Sequence, residues 1–144
     1  MNIGIHLCLF HDQNFWITAS EVSVDDYIKN HNGDVHSRDG HGKTPLHWAA
    51  EFCAKPEVIA SLLKEGADIH VRDKRGRTPL HFAAIRNIPE IVEFLLNKSA
   101  SGATQDADGK TPFDYAQKND ALKGSKAYWQ LNDAKFNQKF PTSQ

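Results

Sequence analysis

Eight histidines and two cysteines in 144 residues are the side chains whose types suit catalysis or metal binding, and their spacing decides what is open to them. His36 and His70 stand in matching contexts, Asp34-Val35-His36 and Asp68-Ile69-His70. Two imidazoles with two nearby carboxylates have the donor chemistry of a zinc site, but no third or fourth ligand recurs at a usable spacing. A column of linker hydrogen bonds is the expectation for them. His47 precedes Cys53 by six residues, a pairing that would suit a thiolate nucleophile only if a carboxylate oriented the imidazole, and none is implied. There is no Gly-x-Ser-x-Gly elbow and no glycine-rich phosphate loop. Neither enzyme activity, a metal nor a cofactor is expected. Cys8 and Cys53 cannot build a disulfide framework, so free thiols are expected.

Composition narrows the remaining classes. Lys and Arg number 17 against 18 Asp and Glu, a formal charge of −1, so long-range attraction to DNA or a membrane surface is not expected. A 40% hydrophobic content implies a buried core within one domain or at most two. Residues 3–10 form an apolar stretch broken by Gly4 and His6, with no basic residue ahead of it, and read as a tail or extra strand and not as a signal peptide. No apolar run approaches the ~20 residues of a spanning helix. The expectation is a protein that does not enter membranes and resides in the cytoplasm, with export into a host or the periplasm also open.

The histidines are better explained by a repeat. Asp39-Gly-His-Gly42-Lys-Thr44-Pro45-Leu46-His47-Trp48-Ala49-Ala50 returns 34 residues later as Asp73-Lys-Arg-Gly76-Arg-Thr78-Pro79-Leu80-His81-Phe82-Ala83-Ala84. A third copy, 33 residues further on, reads Asp106-Ala-Asp-Gly109-Lys-Thr111-Pro112-Phe113-Asp114-Tyr115-Ala116. Between copies, Pro56-Glu-Val58-Ile59 to Leu62-Leu63 matches Pro89-Glu-Ile91-Val92 to Leu95-Leu96.

Each copy encodes a helix start. Thr44 and Thr78 can cap the first backbone N–H groups, and the following proline has the right φ for the first helical position. His47 and His81, three residues on, can reach back to the cap. Leu46 and the Ala49-Ala50 pair fill a short helix that a neighbour can approach closely. A second helix starts at Pro56 or Pro89 with apolar residues on one face. Gly66 follows as a left-handed cap, then an extended segment, then the turn Asp73 to Gly76.

Thr-Pro-Leu-His-x-Ala at this period resembles the ankyrin repeat. The resemblance covers the chain from about Phe15 to Phe136 and implies an all-α solenoid of stacked antiparallel helix pairs joined by β-hairpin or extended turns. The Thr-Pro-Leu-His-Trp-Ala-Ala box, with Pro56 to Leu63 and the ending Asn119 to Phe136, looks like a bacterial subtype. The expected organisation is an N-terminal tail (1–14), an N-terminal capping repeat (15–38), two full repeats (39–72 and 73–105), a C-terminal capping repeat (106–136) and a C-terminal tail (137–144).

Array ends must differ from internal units, since each leaves one apolar face without a neighbour. Upstream, Ser23 is the expected cap of a degenerate unit that turns Val24 and Ile28 inward. Downstream, Gly124-Ser125 introduces a last helix with Ala127, Leu131 and Ala134 on one stripe, and Tyr128, Trp129 and Phe136 are expected to cover its remaining apolar surface. Ser99 stands where Gly is expected, and Ser101-Gly102-Ala103 replaces Asp68-Ile69-His70, so an irregular or mobile hairpin is expected there.

What the resemblance implies for function is a non-enzymatic protein–protein interaction module. In this family the hairpin tips and the exposed side of the first helix face the partner. Carried over, these positions are His41, Lys43, Glu51 and Phe52 in the first full repeat; Lys74, Arg75, Arg77, Ile85 and Arg86 in the second; and Lys110 and Lys118 in the third. Arg38 and Arg72 add to the same edge. The stripe is basic, so the partner is expected to be a protein carrying an acidic segment, held by a monomer, although a dimer through Trp16 or Trp129 is also open. Nucleic-acid or other polyanion binding through the stripe is the alternative, disfavoured by the near-zero net charge and the lack of interleaved aromatics.

Overall fold

The computed structural model describes residues 34–136. Expectations placed on residues 1–33 and 137–144, including both tails, Trp16 and the Ser23 cap, lie outside the described residues. Six helices follow in order: α1 (Pro45–Phe52), α2 (Pro56–Lys64), α3 (Pro79–Arg86), α4 (Pro89–Asn97), α5 (Pro112–Ala116) and α6 (Lys126–Phe136). Among the described residues no strand forms, and the fingers between helix pairs are extended segments closed by turns.

Each first helix begins at a Thr-Pro step. Thr44, with φ −96° and ψ 170°, is extended, and Pro45 starts α1 where no N–H is required. The Thr44 amide donates to His47 Nδ1 at 3.0 Å, and the Thr78 amide to His81 Nδ1 at the same distance. With Nδ1 accepting, the ring proton sits on Nε2. It is donated to the Arg77 carbonyl at 2.8 Å from His47 and to the Lys110 carbonyl at 3.0 Å from His81. One imidazole thus caps its own helix and bonds to the next unit.

Packing follows the pattern of small and large residues. α1, α3 and α5 stack in one row and α2, α4 and α6 in a second. Ala49, Ala50, Ala83, Ala84 and Ala116 are fully buried in the first row, where their size lets helices approach. Leu46, Ile59, Leu62, Leu80, Ile91 and Leu95 fill the space between rows. Each such side chain contributes roughly 2 kcal/mol by its removal from water.

Polar side chains complete the junctions. Asn87 Nδ2 donates to the Ala50 and Cys53 carbonyls at 2.7 and 2.8 Å, and Asn119 Nδ2 to the Ala84 and Asn87 carbonyls at 3.1 and 2.9 Å. Both asparagines are buried, and their loops have no helical partner for those carbonyls. The fingers also join edge to edge, since the Lys74 amide donates to the His41 carbonyl at 3.0 Å and the Ala107 amide to the Arg75 carbonyl at 2.8 Å. Gly42 is required for this approach: it has φ +79°, and a Cβ there would lie 2.9 Å from Lys74 N.

Two expectations need correction. The linker between the second and third units is not irregular: it repeats the turn pattern of the linker before it. Ser99 takes the left-handed conformation, φ 75°, that Gly66 takes one repeat earlier. Ser101 Oγ accepts from the Ala103 amide at 3.3 Å, much as the Asp68 carboxylate accepts from the His70 amide at 2.9 Å. Nor does Trp129 cover the end of the array. Ala127 and Leu131 of α6 are buried, but Trp129 is 55% exposed. Phe136, although 57% exposed, keeps an edge-on contact with Phe113 at 6.1 Å between centroids, and the Trp129 ring projects outward.

Burial lowers the His47 pKa to about 4, against the opposing pull of its bond to the Arg77 carbonyl, and lowers that of His81 for the same reason. Between pH 4 and 6.5 the unfolded chain therefore binds more protons than the folded one, and stability falls as pH drops through 6.5. Urea unfolding at pH 5.5 is expected to show roughly 1 kcal/mol less stability from His47 than at pH 7.5, with His81 acting in the same direction, and His47→Gln should flatten that slope. Asn87→Ala, which leaves two buried carbonyls without a donor, should cost about 1–3 kcal/mol in the same assay.

Candidate functional site

The face made by the fingers and the first row of helices gathers the expected side chains around three rings. Trp48 and Phe52, one turn apart on α1, stack with centroids 5.7 Å apart, and Trp48 Nε1 donates to Asp39 at 3.1 Å. Phe82 occupies the Trp48 position one repeat on. Into this set reaches Lys43, its Nζ 3.9 Å from the Trp48 ring, 4.4 Å from Phe82 and 5.9 Å from Phe52. The same nitrogen lies 2.7 Å from Glu51 Oε1. The other carboxylate oxygen of Glu51 accepts from Arg86 Nε, also at 2.7 Å.

Lys43 and Glu51 were expected to face a partner, and the structure buries both, each 8% exposed. The reason is chemical: an ammonium over aromatic faces with a carboxylate beside it can leave water at small cost. Arg38 and Arg72 are exposed, but each already has an Nη nitrogen on backbone carbonyls. Arg38 Nη1 donates to the Gly42 and Arg72 carbonyls at 3.0 and 2.9 Å, and Arg72 donates to the Gly76 and Gln105 carbonyls, tying one finger to the next. Gln105 stands in that column in the third unit.

The other expected residues range from exposed to half-buried, the Arg77 side chain being 20% exposed. Arg75 pairs with Asp108 across the fingers at 2.7 Å, both well exposed, and Arg77 Nε donates to Asp73 at 3.0 Å with its guanidinium carbon 4.6 Å from the Phe82 centroid. Arg86 is 61% exposed at its side chain. His41, Lys74, Lys110 and Lys118 are exposed and make no ion pair among the described residues, and Phe52 and Ile85 are half-buried. Lys110 Nζ lies 5.7 Å from the Tyr115 ring.

In the third unit Tyr115 takes the Trp48 position and donates to Asp106. Burial and this bond push the Tyr115 phenol up to about 12. Burial would raise Asp106 too, but the Tyr115 hydroxyl and the amides of Lys110 and Asp108 outweigh it and hold the carboxyl below its usual range. Asp114 replaces the histidine of the box: one oxygen accepts from the Thr111 amide and the second holds Lys135 of α6.

His36 and Asp68 line one small cavity with Arg38 and Thr44. His36 and His70 have their backbone amides held by Asp34 and Asp68, and among the described residues no group of three or more His, Cys, Asp or Glu is placed to hold a metal. Cys53 is buried, and burial raises its thiol pKa. No described helix is long and apolar enough to cross a membrane. Asn87 and Asn119, structurally central, escape the sequence reading, although their recurrence 32 residues apart after each first helix is a usable signal.

A family model of ankyrin repeats in three copies matches residues 52–137, and the chain belongs to the ankyrin-repeat family. Ankyrin repeats are in general protein–protein interaction modules and are typically non-enzymatic. No curated protein matches the chain.

The Lys43–Glu51 arrangement makes an asymmetric prediction. Glu51→Gln removes the carboxylate from a buried ammonium and should destabilise by about 2–4 kcal/mol. Lys43→Met leaves Glu51 bonded to Arg86 and keeps an apolar stem against the rings, so it should cost about 1 kcal/mol. Thermal unfolding of the two variants checks the order; an equal loss in both would contradict it.

Proposed function

We propose that the chain is a non-enzymatic module that holds a partner protein against its concave face, formed by the finger tips and the first helices of units spanning 39–72, 73–105 and 106–136. The observation that carries this reading is the juxtaposition of half-buried Phe52, stacked on Trp48, with the exposed guanidinium of Arg86. Apolar ring surface beside a charged rim is the composition of an interface centre. His41, Lys74, Lys110 and Lys118 extend the rim, and Ile85 adds apolar area.

Polyanion binding is the weaker reading. Counterion release needs several free cations along a track, whereas Lys43, Arg75, Arg77 and Arg86 each have a carboxylate within 3.0 Å.

A photocrosslinking amino acid placed at position 52, 74 or 110, and as a control at exposed positions 64 and 90 of the second-row helices, tests the surface in the source cells. Protein adducts from the first set and none from the second are expected. Adducts only from positions 64 and 90, or adducts to nucleic acid, would end the proposal.

A further inference from the structure

We infer that Arg77 and Arg86 are the residues of this face that read the partner, and that they read carboxylate side chains on a peptide segment. The inference rests on the concave-face reading above and narrows it, because the other arginines of the basic stripe each have an Nη nitrogen already bonded. Lys43 is buried against Glu51, and Arg38 Nη1 and Arg72 Nη2 lie on carbonyls. Arg75 uses an Nη nitrogen on Asp108. Lys74, Lys110 and Lys118 are exposed single charges on flexible stems.

Arg77 and Arg86 share a different arrangement. Arg86 donates through Nε to Glu51 Oε2 at 2.7 Å, and Arg77 through Nε to Asp73 Oδ2 at 3.0 Å. Among the described residues neither has a partner at its Nη nitrogens. A guanidinium is planar, so a bond at Nε fixes the plane and leaves the Nη1/Nη2 edge free to take a carboxylate with two parallel hydrogen bonds.

The anchors are themselves held. Glu51 is kept in place by Lys43, and Asp73 Oδ1 accepts from the amides of Arg75 and Arg77 at 2.9 and 2.8 Å. Ring surface steadies the heads as well, with the Arg77 carbon 4.6 Å from Phe82 and the Arg86 carbon 5.8 Å from Phe52. Two forks fixed before binding lose little freedom when an anion arrives. Half-buried Phe52 and Ile85 beside Arg86 suit an apolar residue next to the acidic ones. Nucleic acid fits less well, since Glu51, Asp73 and Asp108 stand among these cations.

Lysine is the discriminating substitution. A lysine at position 86 keeps the charge, but its single nitrogen would be drawn onto Glu51 as that of Lys43 is, leaving no outward donor. The probe is a random 12-residue peptide library displayed against the full chain, followed by titration of one enriched peptide. Peptides rich in Asp or Glu are expected, with Arg86→Lys and Arg77→Lys each weakening binding about tenfold and Lys118→Gln by less than about twofold. Replacing each acidic residue of the peptide by its amide, against the unaltered chain, should reproduce the tenfold losses without touching the fold.

Acid-free peptides that bind and are lost on Phe52→Ser would overturn the inference and leave the concave-face reading standing. Acidic peptides bound equally well by the lysine variants would show bare charge at work and overturn the fork. Failure to enrich any peptide on this face would remove both, as would stronger binding of a single-stranded 12-mer oligonucleotide than of the peptide.

Discussion

The structure depends on carbonyl groups that no single unit can satisfy. A helix pair with its finger leaves backbone acceptors at each bend, and burial without a donor would cost more than the packing of one short helix returns. Side chains of the neighbouring unit supply the missing donors. His47 and His81 reach forward to Arg77 and Lys110, Arg38 and Arg72 reach forward along the fingers, and Asn87 and Asn119 reach back to the preceding bend. Stacking is therefore specified by hydrogen bonds in both directions as well as by apolar area, which is why the units hold a defined register.

That dependence explains what could be read without coordinates. The Thr-Pro-Leu-His boxes are legible because cap, proline and reaching imidazole act within four residues, and local geometry is set by local sequence. Helix pairing and the repeat period follow from them. Long-range consequences are less legible. Lys43 and Lys110 hold the same position before the Thr-Pro step, yet one lies beneath Trp48 and Phe82 and the other is exposed, because the rings that cover Lys43 come from two different units. Arg38 and Arg72 read as rim charges for the same reason, since the carbonyls they bind lie about 33 residues away. Ser99 misleads in the opposite direction: its position demands φ > 0, and the surrounding helix end imposes it on a residue that only tolerates it.

The ends of the array show how the same chemistry is switched off. Asp114 in place of histidine and Gln105 in place of arginine withdraw the forward-reaching donors in the third unit. Asp114 keeps the capping half of the histidine's work, taking the Thr111 amide at 2.8 Å, and uses its charge to hold Lys135. A carboxylate can do this where an imidazole cannot: burial would raise its pKa, but the bonds from Lys135 and Thr111 outweigh that and hold the carboxyl below its usual range.

Rigidity and recognition are then two results of one arrangement. Charges on the face of the fingers and first helices are mostly spent on internal carboxylates and carbonyls, which fixes that face in shape. A mobile basic stripe would bind many acidic surfaces weakly. A face whose cations are anchored, with only particular edges left open, loses less freedom on binding and tolerates fewer geometries. The selectivity of such a surface resides in which donors its own fold has left unused, a property set by neighbouring units and not by the number of lysines and arginines along the chain.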